Sequence, residues 1–498
     1  MVHQSMIQPV PNPSKSYWLT KLPPNLQKLR NYGALTNLPT SEIMDVVIIG
    51  SGMTGASVAY HLVRSENKNG NIQKICVLEA RELCSGATGR NGGFLHAHSF
   101  NQWWPLCEKY GFVTATKLCL LEKSGRKAIH NVSEKENFDC DIDYNVKLAM
   151  LFPNNQGLRD KLGWFHLLRH NVLSICGIQA LDTAEDCSNV MNINNLTSNS
   201  NNISSAIVID SGCDTFYPAK FVYNIFQKLI NETNQIRIHT HTMVKGVTEV
   251  TGKVGGSSSG NSSSSDSETL YLIETNRGNI LSRNVVHATN GWIGGLLPKF
   301  RGIIQPVLNT VVSIEDPPSS LLLNPNRRTG MDLQPGYHYW HSRMDGTIIL
   351  GGFRNNRKDR GVGVWKDDHV DIKDIQVAER LLHGLGFFKN ENKENIEKVN
   401  IDLAWTGIIG WSMDGLPFVG PWYRDDKRKE SGEYVCAGFS GHGMTQTWLA
   451  GQAIAEMIMK RPSTGTSKYE FLLPTKQRIE NARKKGGDWL AYEKSKEE

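Results

Sequence analysis

No Cys-x-x-Cys pair occurs in this sequence: its nine cysteines (Cys76, Cys84, Cys107, Cys119, Cys140, Cys176, Cys187, Cys213 and Cys436) lie far apart and in an odd number. That spacing argues against a zinc site or a disulfide framework, and it lacks the adjacent thiols of a dithiol redox centre. No stretch reaches the roughly 18 consecutive apolar residues that span a bilayer, and the segment Met1–Leu22 has no apolar core of signal-peptide length. Lys494–Glu498 carries no peroxisomal tripeptide. A reducing, cytoplasmic setting without a membrane span is expected. Charge of one sign is also sparse. The net charge is +6, and basic residues scatter except near Lys427–Lys429 and Lys484–Lys485, so no nucleic-acid footprint is expected and a small molecule is the natural partner.

What is present is an ordinary globular composition, 39% hydrophobic and 21% charged over 498 residues. That length exceeds the roughly 250–300 residues at which one core stops growing, which predicts two joined domains. Residues 1–42 are rich in proline and polar residues, with isolated aromatics such as Tyr17 and Trp18; they are expected to form an arm over the body, without chemistry of its own. Asp45–Ile49 is a β-branched apolar run of the kind buried on both faces of a parallel sheet. Ala56–Arg64 has the composition of a helix packed on that strand, and Lys74–Glu79 reads as the next strand, completing a βαβ unit. Two low-complexity stretches, Asn189–Ser205 and Gly255–Glu268, are expected to be loop expansions. The second lies between alternating flanks, Met243–Val247 and Thr269–Ile273, and so reads as the swollen tip of an antiparallel hairpin.

Gly50-Ser51-Gly52-Met53-Thr54-Gly55 fits GxGxxG in the required strand–turn–helix context. The first glycine permits the turn, the second admits a pyrophosphate and the third lets helix pack on strand. The helix N-terminus behind it offers N–H groups and a positive dipole end to phosphate. Glu79, ending the second strand, is placed to accept hydrogen bonds from a ribose; its alternative is a plain surface carboxylate. The segment Ser85-Gly86-Ala87-Thr88-Gly89-Arg90-Asn91-Gly92-Gly93 then describes a backbone that approaches a large planar ligand and offers many donors.

With that segment in place, the sequence resembles the D-amino-acid oxidase and glycine oxidase superfamily of FAD enzymes, in particular its gamma-glutamylputrescine oxidase-like members. Three later segments carry the resemblance on in order: Val285–Trp292, with Asn290 where glycine is commoner; Ser412–Gly420, containing Asp414-Gly415-Leu416-Pro417; and Ala437–Thr445, a glycine turn opening a helix over Gln446–Met459. Asp210–Ala219 resembles the family's return from the substrate domain. Asparagine also accepts positive φ, which makes Asn290 tolerable. The resemblance, over about residues 43–460, implies contacts to a noncovalent FAD from Gly50, Gly52, Met53, Thr54 and Gly55. It adds Glu79, Ala80 and Arg81, then Ser85, Ala87, Thr88, Arg90, Asn91, Gly92 and Gly93. Main chain at Val244, the turn Ala288, Thr289 and Asn290, then Asp414, and finally Gly438, Ser440, Gly441, His442, Gly443, Met444 and Thr445 complete the set. His96, His98 and Cys84 lie near the segment at which some relatives attach flavin covalently, and nothing in the sequence singles one out.

The implied fold is α/β (α+β overall): a Rossmann-type FAD-binding domain with a central parallel sheet, plus a substrate domain on a mainly antiparallel sheet. The expected division is 43–105, 215–300 and 400–460 for the first, 106–214 and 301–399 for the second, and 461–498 as a tail. The implied reaction is oxidation of a C–N bond in an amine or amino acid to an imine, with electrons passed to oxygen. A dehydrogenase using a quinone or carrier protein, and a noncatalytic flavin-binding protein, are the alternatives. No metal is expected. Candidate substrate-site residues are Tyr337 and Tyr339, which share a strand face with His341 opposite His338 and Trp340; Arg354, whose fork fits a carboxylate; Trp405, as a wall; and His442, as a group touching flavin or titrating near neutral pH. Ordinary aromatic packing for the tyrosines and solvation for Arg354 are the competing readings. Replacing Gly52 with leucine is expected to abolish flavin retention, read as the absorbance of the purified protein; undiminished flavin content would remove the phosphate role from this turn.

Overall fold

The computed structural model describes residues 7–65, 72–97, 99–152, 178–181, 205–209, 212–253, 267–317, 329–333, 338–384, 400–422, 431–459 and 466–486. Two short helices, α1 (Tyr17–Thr20) and α2 (Pro24–Gln27), precede β1 (Ile43–Ile49), α3 (Met53–Val63) and β2 (Ile75–Leu78). Then come β3 (Phe94–His96), α4 (Ser99–Tyr110), α5 (Phe112–Lys135), β4 (Lys147–Phe152), β5 (Ile178–Leu181), β6 (Ser205–Ile209) and β7 (Cys213–Thr215). The middle of the chain supplies α6 (Pro218–Glu232), β8 (Ile236–His239), β9 (Val244–Lys253), β10 (Ser267–Thr275), β11 (Gly278–His287), α7 (Ile293–Leu296), β12 (Ile304–Ile314), β13 (Thr329–Leu333), β14 (His338–Ser342) and β15 (Ile348–Gly352). The last elements are α8 (Ile372–Gly384), β16 (Leu403–Ser412), β17 (Phe418–Pro421), β18 (Glu433–Ala437), α9 (Gly443–Ile458) and α10 (Lys476–Gly486).

One sheet runs β17-β18-β11-β1-β2-β8, parallel at every pairing except β17 with β18, and the antiparallel meander β9-β10-β11 branches from it. The reason β1 has no polar alternation is visible in its neighbours. Val46 and Ile48 enter the core shared with α3, α6 and α9, while Met44, Val47 and Ile49 enter a second core with Val244, Val247 and Tyr271 under the meander. Val46–Ile49, the part of the strand covered on both faces, is accordingly all apolar, and the one polar residue, Asp45, stands where burial is incomplete. The hairpin expected around the serine-rich stretch is present in its flanks, since β9 and β10 pair antiparallel up to Ser267↔Lys253; Gly255–Asp266 of that stretch, and Asn189–Ser204 of the other, lie outside the described residues, while Ser267, Glu268 and Ser205 open strands.

The second sheet runs β16-β12-β15-β14-β13-β4-β6-β5 and is antiparallel but for β13 with β4. Its far face is covered by α8. There Val312, Ile314, Trp340 and Leu350 pack with Ala378 and Leu382, and Thr310 Oγ1 donates to Asp374 at 2.5 Å. The other face carries Asn309 and Tyr339 toward the first domain. In this sheet β16 pairs with β12 from Ile304↔Ser412 to Ser313↔Leu403. Residues 403–412 therefore stand with the second sheet, and the chain crosses back between Ser412 and Phe418 rather than near 400.

The second sheet meets the first domain where β16 and β12 pack on the turns at Ala87–Arg90 and Asn290–Trp292, while α5 and α9 pack on each other. Gly125 of α5 lies so close to α9 that a Cβ would sit 1.7 Å from the Thr445 carbonyl oxygen. Propensity alone favours alanine over glycine in a helix by about 1 kcal/mol, but this clash reverses the sign. Gly125→Ala is expected to lower the urea midpoint, at a net cost of about 1–3 kcal/mol. An unchanged or higher midpoint would mean that the helices part without penalty.

Candidate active site

Between the sheets lies a cavity of about 960 Å³, at the upper end of the roughly 300–1,000 Å³ typical of ligand sites. Its nucleotide side is built by the first βα turn. Gly50 has φ +110°, and a Cβ there would meet the Ala288 carbonyl oxygen at 2.7 Å. Gly55 does not line the cavity; a Cβ on it would fall 2.0 Å from the Gly50 carbonyl oxygen, so its role is the close seating of α3. Gly52, Met53 and Thr54 line the wall, and Met53 N donates to Thr88 Oγ1 at 3.0 Å. Glu79 is buried. Its Oε2 accepts from Ser51 N and Oγ at 3.1 and 2.7 Å, and its Oε1 from Arg81 N at 3.1 Å, which sets the carboxylate's orientation at the cavity edge beside Ala80 and Arg81.

Ala87–Arg90 forms a 3₁₀ turn, and Ala87, Thr88, Arg90, Asn91, Gly92 and Gly93 line the cavity, whereas Ser85 stands behind. The two arginines are held from the rear by a carboxylate that sequence reading passed over. Asp367, fully buried, receives Arg81 Nη1 at 2.8 Å and lies 3.5 Å from Arg90 Nε. Burial draws Arg90 down to about 10, with Asp367 opposing the shift. Arg90 also donates to the carbonyls of Ser85, Thr406 and Ser14 at 2.8, 2.7 and 2.6 Å. The arm expected to carry no chemistry supplies part of the wall, since Ile7, Gln8 and Pro9 line the cavity. The isolated aromatics of the arm, Tyr17 and Trp18, are both in the core.

The late loops meet at Asn290. It has φ 44°, as its side chain permits, and its Oδ1 accepts from Gly438 N at 3.0 Å, joining two of the expected flavin segments. Ala288, Thr289, Asn290, Ser440, Gly441, His442, Gly443 and Met444 line the cavity, as does Val244; Gly438 and Thr445 do not. The helix α9 starts at Gly443 and presents its N-terminal dipole end to this wall. Asp414 is not on the lining either. Its carboxylate receives Arg478 of α10 at 2.5 and 3.1 Å, together with Ser412 Oγ at 2.7 Å, and burial is outweighed by Arg478 in holding its pKa below the usual range. The Asp-Gly-Leu-Pro segment thus anchors the C-terminal helix. Trp405 is likewise behind the wall, where its indole donates to the Arg90 carbonyl at 3.0 Å.

On the second sheet, Tyr339 is clamped between glycines: a Cβ on Gly92 or on Gly351 would meet its ring at 2.3 Å. Its hydroxyl accepts from Asn309 Nδ2 at 3.3 Å, and burial pushes its pKa well up, so it is a neutral donor. Its strand neighbour on the same face, His341, makes a 2.6 Å Nε2 contact with the Gly92 carbonyl. Tyr337 and His98 lie outside the described residues. Arg354 sits on the cavity wall with its guanidinium 5.1 Å from the Trp411 ring centroid. It is aimed there by Phe353, a buried non-glycine residue at φ 66°, and such strain persists only where the surroundings impose it. Cys84 is fully buried off the cavity, with its thiol pushed well up by burial. The described residues contain no His, Cys, Asp or Glu group able to hold a metal.

Burial is also what corrects the expectation for His442. It lines the cavity but is pushed down to about 3 by desolvation, with His96 and Arg354 adding to the shift, and so does not titrate near neutral pH. His96 and His341 are each pushed down to about 4 by burial. A depressed base is neutral in the folded chain and protonates more readily unfolded, so the stability it carries is complete above the unfolded value near 6.5. It is lost as pH falls toward 4 and below. Urea midpoints of the flavin-free chain are therefore expected to hold level from pH 8 to 7 and to drop between pH 6.5 and 4.5, above the range where the depressed carboxylates Asp214 and Asp414 respond. A flat profile across that window would show that these imidazoles accept protons in place.

The residues present suit FAD: a glycine turn where side chains are excluded, an oriented carboxylate beyond it, a helix N-terminus at the far wall and a cavity of matching scale. The sequence matches the family described as DAO, FAD dependent oxidoreductase, over residues 45–457. Gamma-glutamylputrescine oxidoreductase of Escherichia coli is 24% identical over 439 residues, covering 86% of this chain and 86% of that protein. A probable oxidoreductase, OrdL, of Haemophilus influenzae is 24% identical over 427 residues, covering 84% and 83%. Glycine oxidase from Geobacillus kaustophilus has a similar structure, with a TM-score of 0.61 at 18% identity over 87% of this chain and 98% of that one. L-amino acid deaminase from Proteus myxofaciens follows at a TM-score of 0.61 and 15% identity over 91% and 95%. At these identities the solved structures speak to the fold alone.

Proposed function

The chain belongs to the DAO family of FAD-dependent oxidoreductases, and from that premise we propose that it oxidises the C–N bond of a carboxylate-bearing amine, an amino acid or N-substituted amino acid, to the imine. Oxygen is the proposed acceptor and the FAD is held noncovalently. The observation that carries the reading is Arg354, held on the cavity wall by the left-handed Phe353 and stacked against Trp411. The Escherichia coli relative is by its name an oxidoreductase of a glutamylated amine, which supports the same class.

When bound, the flavin accepts two electrons and a proton equivalent from the carbon beside the amine. The chain's own residues then have positioning work. Arg354 presents a planar fork to a carboxylate, pre-ordered by its aromatic stack. Asn309 and the neutral Tyr339 hydroxyl offer hydrogen bonds on the same wall. His96 and His442, kept uncharged by burial, add no positive charge that would repel the amine. The α9 N-terminus favours negative charge where it opens onto the cavity. The seven cysteines among the described residues are all free, which accords with a cytoplasmic setting.

Arg354→Ala is expected to lower kcat/KM for carboxylate-bearing amines by about 10- to 100-fold, the size of losing a charge-assisted pair, and to leave plain amines within a fewfold. Equal losses for both classes would remove the carboxylate role. The class itself is tested by anaerobic absorbance titration with N-methyl amino acids, D-amino acids and polyamines, then admission of air. Bleaching that recovers rapidly supports the oxidase; bleaching without recovery would replace oxygen by a quinone or carrier protein.

A further inference from the structure

The cavity has a second polar wall, opposite in chemistry to Arg354, where α5 meets the start of α9. Gly125 seats α5 directly against the Thr445 carbonyl, and one turn earlier on α5 stands Glu122, with Leu118 a turn before it; both line the cavity. Gln446 and Thr447 of α9 line it as well. Glu122 is 1% exposed, and its Oε1 accepts from Gln446 Nε2 at 2.8 Å. That bond fixes the amide, with its nitrogen toward the carboxylate and its oxygen turned away. Gln446 Oε1 and Thr447 Oγ1 then have no hydrogen-bond partner among the described residues, although these side chains are only 3% and 7% exposed. Buried oxygens in that condition are costly and call for a donor. Of the other carboxylates on the described lining, Glu79 is engaged by Ser51 and Arg81, and Glu108 is exposed. Glu122 is therefore the buried anion of the wall away from the nucleotide turn, and it stands with two oxygens that lack a donor.

We propose that Glu122, Gln446 and Thr447 form a subsite for an alkylammonium group, so that the substrate carries a second amine besides the one that is oxidised. The reaction and the carboxylate-bearing class rest on the function proposed above; the subsite rests on these three side chains. An ammonium group brings three N–H donors and one positive charge, and a carboxylate oxygen accepts more than one hydrogen bond, so Glu122 can serve it together with the amide and hydroxyl oxygens. A neutral donor would gain less, because hydrogen bonds between charged groups are roughly twice as strong. The nitrogen held here is not the reacting one. An anion with two further acceptors favours the protonated form, and protonation ties up the lone pair whose release drives hydride from the neighbouring carbon. The reacting amine belongs instead where His96 and His442 are kept neutral. A carboxylate for Arg354 and a second ammonium for Glu122 together select diamino acids, or amino acids bearing an aminoalkyl substituent.

The test measures kcat/KM of the holoprotein for matched pairs that differ by a terminal ammonium, ornithine against norvaline and lysine against norleucine, as both enantiomers and as their N-methyl forms. The unaltered chain is expected to favour the ammonium-bearing member of a pair. Glu122→Gln is expected to lower the ratio within the pair by about 10- to 100-fold, chiefly through KM, since the contact is alike in the ground and transition states. Glu122→Asp is expected to keep part of the preference. Should Glu122→Gln fail to fold, Thr447→Val, which removes one acceptor at similar volume, is expected to lower the same ratio about fivefold or more. No preference in the unaltered chain, or a ratio that the folded variant leaves unmoved, would overturn the subsite while the proposed oxidation stands. Loss of flavin absorbance from the variants at an unmoved ratio would overturn it too, and would assign these side chains to the cofactor. Failure of every carboxylate-bearing amine to reduce the flavin would instead bring down the proposed reaction, and the subsite with it.

Discussion

A single buried carboxylate, Asp367, is the point on which the cofactor side of this molecule depends. An isolated charge at zero exposure is too costly to keep, so the side chain needs cations, and it takes Arg81 and Arg90 from the two ends of the segment that follows the second strand. Its backbone carbonyl meanwhile holds Ser14. One residue from the long connection after β15 thereby ties together the nucleotide loop, the N-terminal arm and, through Arg90, the strand β16 of the second sheet. Such a buried pair adds little net stability compared with apolar packing, but removing one partner strands the other. Its value here is in register: the loop that must approach a flavin is held at both ends by the same charge.

The second organising feature is where close contact is demanded. Gly92 and Gly351 leave room for the Tyr339 ring, Gly125 lets α5 touch the start of α9, and Gly55 lets α3 touch its own turn. In each case the glycine admits a neighbour that a Cβ would displace, and at Gly92 and Gly351 that neighbour, Tyr339, lines the cavity. Phe353 is the reverse case, a bulky residue accepting a left-handed conformation so that the arginine after it faces inward.

How much of this was legible follows from whether the signal was local. The βαβ unit, the hairpin flanks, the helix after Gly443 and the tolerance of Asn290 for positive φ are written in adjacent residues, through periodicity, turn chemistry and glycine spacing. Asp367, the buried arm, the partner of Asp414 and the sheet to which β16 belongs depend on residues hundreds of positions apart. Asp414 was expected beside the flavin from its motif; its neighbours Met413 and Gly415 line the cavity, but the Arg478 that claims its carboxylate lies in what was read as a tail. Trp405 was read as a wall from its place just before that segment; the lining begins two residues on, at Gly407. His442 lies in the expected segment, but its titration is set by desolvation that composition does not reveal.

The cavity is lined by residues from Ile7 at one end of the chain to Lys485 at the other. During synthesis the turn at Gly50–Gly55 emerges early, Asp367 and α9 some hundreds of residues later, and the helix bearing Arg478 and Lys485 later still. A growing chain therefore holds fragments of a binding surface without an enclosure until α10 has left the ribosome. A chain cut before α10 lacks part of the wall even with every nucleotide-binding glycine in place.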